Sequence, residues 1–172
     1  MTARTSRDAV QRHREHIQRV VSCVSDAFVA LSEPEARVGT AKYSIALNNG
    51  TPLSLVRSHL TLRIVQSFAT PGSVGSVGVR VFGYNYTLSH DRYGELFAYH
   101  WHHRTPETPA PPHLHVGAAL VGTVGRVRTG ESHKVHFPTA LVSLESVLSL
   151  CIAEFGVEPR RRDWEQILSD AL

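Results

Sequence analysis

The 172-residue chain is 42% hydrophobic and 19% charged, proportions of a folded globular protein that exclude intrinsic disorder. A formal net charge of +3, with eleven histidines uncounted and sixteen of the eighteen basic residues arginine, permits a phosphate-bearing partner without demanding one. No stretch approaches the roughly 18 apolar residues of a membrane span, and the polar start MTARTSRDAVQRHREH is not followed by a signal-peptide core. A cytoplasmic protein with no membrane partner is therefore expected. The length suits a single domain, 1–172, able to bury most of its unfolded surface without disulfides or other staples.

Residues 6–31 read as a long N-terminal helix. Val10, Ile17, Val20, Val21, Val24, Ala27, Phe28 and Leu31 recur at three- and four-residue steps, and arginines fill much of the remainder. Pro34 terminates it. Such an apolar stripe can also serve oligomerisation. Between 41 and 128 the period changes to two. Tyr43, Ile45 and Leu47 alternate with small or polar neighbours, and Asn48-Asn49-Gly50 marks a turn. Leu60, Leu62 and Ile64 share a face, with His59, Thr61 and Arg63 on the other. A third strand runs from Val77 to Tyr86, a fourth covers 95–103 and a fifth 112–121, with a short sixth near Thr123–Arg128.

Helix returns in 139–172. Ser143 is a good N-cap for a stripe of Leu144, Val147, Leu148, Cys151 and Ile152, Gly156 a good stop, and Trp164, Ile167 and Leu168 mark a last helix. The expected fold class is α+β: an antiparallel β-meander of about five strands, with the N-terminal helix and two C-terminal helices packed on one face. Cys23 and Cys151 fall in apolar stripes and are expected to be small core residues.

The chemistry-bearing residues gather between 100 and 115. In Tyr99-His100-Trp101-His102 alternation puts the aromatics on one face and His100 and His102 on the other. His113-Leu114-His115-Val116 likewise sets His113 and His115 opposite its apolar face. Paired as a hairpin, the two strands bring four imidazoles to one surface. Three uses are open. Imidazoles titrate near neutrality and can act as acid and base in RNA cleavage, with His59, Arg63, His103 and Arg104 steadying substrate phosphate. The same four histidines, two His-x-His pairs, can hold zinc or another divalent metal. Alternatively the surface is a recognition face of a non-catalytic protein-binding module. His13, His16, His90, His133 and His136 read as ordinary histidines.

Tyr84-Asn85-Tyr86, Tyr99-His100-Trp101-His102-His103 and Pro111-Pro112-His113-Leu114-His115-Val116-Gly117, followed by the helix after Ser143, resemble the signature of the TumE-type toxin family. The resemblance spans about residues 43–155, and Tyr99, Trp101, His113, His115 and Val116 carry over. At 102 this chain has histidine where the family tends to have an acidic residue. The resemblance implies a growth-inhibiting toxin held by an antitoxin protein, with RNA as the expected target.

Overall fold

The computed structural model describes residues 5–37, 40–55, 58–73, 76–102, 111–117 and 136–169. Helix α1, Ser6–Val21, begins where Thr5 accepts the Asp8 N–H on its side-chain oxygen at 3.1 Å, with Asp8 in the first turn and Arg19 in the last. Its stripe of Val10, Ile17, Val20 and Val21 is buried in the core of the same chain, which removes it as a seam for a second copy.

The expected helix over 6–31 is too long by ten residues. The chain turns at Ser22–Val24, Phe28 is exposed, and Val29–Leu31 is strand β1. Two contacts explain the early end. The Gln18 side chain donates to Ala27 O and accepts from the Val29 N–H, both at 2.9 Å, pinning an extended segment against the last helical turn. Beyond it, Val29, Ala30 and Leu31 pair with Leu47, Ala46 and Ile45. Apolar spacing cannot separate these outcomes, because a buried strand and a helical stripe both present valine and leucine.

The remaining strands are β2 (Glu35–Arg37), β3 (Thr40–Leu47), β4 (Leu53–Ser54), β5 (Leu60–Ala69), β6 (Gly72–Ser73), β7 (Ser76–Val77), β8 (Arg80–His90), β9 (Gly94–His102), β10 (His113–Val116) and β11 (His136–Pro138). Among the described residues nine of them form one antiparallel sheet in the order β1-β3-β5-β8-β9-β10-β11, with β2 beside β3 and β4 beside β5; β6 and β7 pair separately. The five expected strands are β3, β5, β8, β9 and β10. The others are two or three residues long, too short for alternation to announce them. Asn48, Asn49 and Gly50, all at positive φ, make the expected turn. The expected sixth strand, residues 118–121 of the fifth, and His103 and Arg104 lie outside the described residues.

Two helices follow, α2 (Leu144–Ala153) and α3 (Trp164–Ser169). Ser143 caps α2 as expected, accepting the Ser146 N–H at 3.1 Å, and the chain breaks away through Gly156 at φ +67°. Helices α1, α2 and α3 cover one face of the sheet. Ile45, Leu47, Leu62, Ile64, Phe68, Tyr86 and Leu88 meet Ile17, Val20, Leu144, Leu148 and Leu168 there, each buried side chain contributing about 1.5–3 kcal/mol. Cys23 and Cys151 are buried free thiols in that core. No helix among the described residues is long and apolar enough to cross a membrane.

Candidate functional site

Strand alternation, fixed by the core, decides which side chains meet on the opposite face. On β9, Phe97, Tyr99 and Trp101 pack toward the helices, so His100 and His102 must point away. On β10, Leu114 packs toward the helices, turning His113 and His115 outward with them. The register places His113 opposite His100, Leu114 opposite Tyr99 and His115 opposite Ala98. The hairpin pairing expected from sequence is therefore the observed one.

Ring centroids lie 4.6 Å apart for His100–His115, 5.0 Å for His113–His115, 5.8 Å for His100–His113 and 5.5 Å for His100–His102. His113 is buried, His100 and His115 are half-buried, and His102 is exposed. Within this group one ring nitrogen each from His100, His113 and His115 falls within 4.8 Å of the others. Tetrahedral zinc, at about 2.0–2.1 Å from nitrogen, needs nitrogens roughly 3.3 Å apart. His102 stands beside this trio rather than within it.

The tautomer of His113 follows from its partner. Nδ1 lies 2.8 Å from Pro111 O, and a carbonyl oxygen only accepts, so Nδ1 carries a proton and donates it there. A histidine anchored through one nitrogen to a backbone carbonyl is the usual outer support of a metal-binding imidazole.

Neighbours on this face are small and polar. Asn85 stands opposite His100 and Thr87 opposite Ala98, with the Thr87 hydroxyl donating to Asn85 Oδ1 at 2.7 Å. Arg63 is exposed on the same face, in the row Arg63–Thr87–Ala98–His115. Three strand spacings put its Cα roughly 14 Å from that of His115. His59 is not part of the cluster. It adjoins Leu60, which pairs with His90 and through it with Gly94, and six residues of β9 separate Gly94 from His100, roughly 20 Å. There His59 Nδ1 meets Asp91 Oδ2 at 2.8 Å, beside His90 and Tyr93.

A second polar group, on the helix-covered face, escaped the sequence reading. His13 Nε2 lies 2.7 Å from Gln66 Oε1, Gln66 Nε2 donates to the Tyr86 oxygen at 2.8 Å, and His16 Nε2 lies 2.7 Å from Glu145 Oε1. The signal was present. His13 precedes Ile17 by one helical turn, on the apolar side of α1, and Gln66 continues the buried alternation of Leu60, Leu62 and Ile64. No family model, curated protein or solved structure matches this chain.

Proposed function

We propose that His100, His113 and His115 form a transition-metal centre, zinc first among the candidates, in a hydrolytic enzyme. The observation that carries this reading is the convergence of one ring nitrogen from each of three histidines within 4.8 Å, with His113 held through Nδ1 by Pro111 O. Three protein nitrogens leave a coordination position open, and a cation held this way supplies Lewis acidity to a water or a phosphoryl oxygen. The chain's own groups do the rest. His102, exposed beside His100, moves a proton, and Asn85 and Arg63 orient what lies on the face. RNA is the proposed substrate, and an antitoxin protein the proposed partner in the cytoplasm; both follow from the resemblance to the TumE-type toxins.

The decisive experiment is elemental analysis of protein purified without chelator or affinity tag, beside a His100→Ala/His113→Ala/His115→Ala variant. Near-equimolar metal is expected in the native protein and none in the variant. Zinc at a hundred times its Kd adds about 2.7 kcal/mol, which for a chain of this length raises Tm by about 5–11 °C. Absence of metal, together with a Tm indifferent to added zinc, overturns the reading.

A metal-free alternative rests on the His100–His102 pair, whose rings lie 5.5 Å apart with one half-buried and one exposed. Different environments suit an acid and a base for different roles. Under that reading RNA cleavage persists in chelator and fails in His102→Ala.

A further inference from the structure

The polar group on the helix side borders a pocket that opens to solvent. A cavity of about 390 Å³ lies between α1, the start of α2 and strands β5, β8 and β9, within the size range of small-molecule sites. Ile17, Val79, Val81 and Val142 line its apolar part. Tyr84 and Trp101, their rings 5.8 Å apart and tilted by 60°, form an aromatic corner.

Each polar group has a definite role. Gln66 Oε1 only accepts, so His13 Nε2 carries the proton donated to it, and His13 Nδ1 keeps a lone pair. Burial lowers the His13 pKa, which favours this neutral form. The Glu145 carboxylate accepts a hydrogen bond from His16 Nε2 at 2.7 Å. Tyr84 and Tyr86 stack in parallel, ring centroids 4.7 Å apart. The Tyr86 oxygen accepts from Gln66 and the Tyr84 oxygen accepts from the Val142 N–H at 3.1 Å. A phenol that accepts still has its own O–H to place. Two phenols with stacked rings therefore border a cavity whose one carboxylate, Glu145, already accepts from His16.

A purely structural role explains less. Gln66 and Glu145 are only 6% and 5% exposed, at a junction of helix and sheet otherwise built mainly of aliphatic and aromatic residues. Apolar residues there would join the helices to the sheet without the cost of burying amide and carboxylate.

We propose that this cavity binds an uncharged, planar small molecule through a carbonyl-type acceptor held by the Tyr84 and Tyr86 hydroxyls. The site lies on the sheet face opposite the three histidines, and the proposal is independent of whether they hold metal.

An isosteric series tests it without knowledge of the natural ligand: 2-naphthamide, neutral with a carbonyl acceptor; 2-naphthoate, its anion; and 2-naphthamidine, its cation. Binding to the full chain is followed by NMR titration and calorimetry. Saturable binding of the amide at least tenfold tighter than either charged analogue is expected. Tyr84→Phe and Tyr86→Phe, which retain the rings, should each weaken it by roughly three- to tenfold, with circular dichroism confirming that both variants are folded. No saturable binding of the amide, equal binding of all three, tightest binding of the amidine, or affinity unchanged in both phenylalanine variants overturns the proposal. The charge series on the native protein stands even where a variant fails to fold.

Discussion

Gly117 follows β10 at the open end of the hairpin that carries the three histidines, and replacing it tests the strand pairing on which the site depends. Its N–H donates to Leu96 O at 2.7 Å. A Cβ built there would overlap the Glu95 carbonyl and press on Leu96 O at 3.0 Å. Both obstacles are backbone, so no rotamer change relieves them. At a compatible position Gly→Ala stabilises by about 0.4–1 kcal/mol through the unfolded chain. Here overpacking reverses the sign and costs about 1–3 kcal/mol. Each kcal/mol lowers Tm by about 2–4 °C in a chain of this length, so Gly117→Ala is expected to melt about 2–12 °C below the native protein. The strain is relieved by moving β10 away from β9, which carries His115 away from His100. Under the metal proposal that displacement should weaken zinc binding. Gly78→Ala, where a Cβ meets nothing within 4 Å, is the control and should melt at or above the native temperature. Thermal melting and zinc titration of the three proteins decide the matter. A Gly117→Ala protein that melts and binds zinc like the native one would falsify the register of 113–116 against 97–100.

Stability should climb with pH across the acid range, for two reasons of the same sign. Burial alone would raise the Glu145 pKa, but hydrogen bonds from His16, its own N–H and Ser143 outweigh it and hold the carboxyl below its usual 4.5. Its contribution is present above that value and is lost as pH falls through the depressed one. The lowered pKa of His13 means that the unfolded chain takes up a proton first, so stability falls as pH drops below 6.5. In melts from pH 3 to 8, Glu145→Gln should flatten the curve at its acid end and His13→Gln just below 6.5; curves that superpose on the native one refute the assignment. Burial pushes the Cys151 thiol up to about 12 and raises Cys23. Both should therefore resist iodoacetamide at pH 8 until urea opens the core, and prompt native labelling would contradict their placement.

The sheet and the histidine cluster were legible because alternation is a strict rule over long strands. Phe97, Tyr99 and Trp101 can satisfy burial on one face alone, and this choice orients His100 and His102. The helix end at Val21 was not legible. It depends on Gln18 reaching Ala27 and Val29, side-chain contacts that leave no periodicity. His59 shows a different shortfall. Alternation put it on the polar face of β5, but His59 precedes that strand, which begins at Leu60, and sits at the far end from the hairpin. His13, Gln66 and Glu145 come from three distant stretches of chain, so their meeting appears only when α1 and α2 are laid on the sheet.

The two candidate sites occupy opposite sides of one strand, for a physical reason. Trp101 lies between His100 and His102 in sequence, so the pleat sends it into the helix-side cavity and sends them to the open face. One rigid element thus positions groups for both sites while their side chains diverge, and neither occupant takes space from the other. In both places polar groups stand where the local pattern calls for apolar ones: Gln66 and Glu145 in the core, and His113 buried at the hairpin. Each such group must find a partner or cost about 1–3 kcal/mol. His113 meets Pro111 O, Gln66 meets His13 and Tyr86, and Glu145 meets His16. Each of these three groups is thereby satisfied, and the fold does not carry that cost.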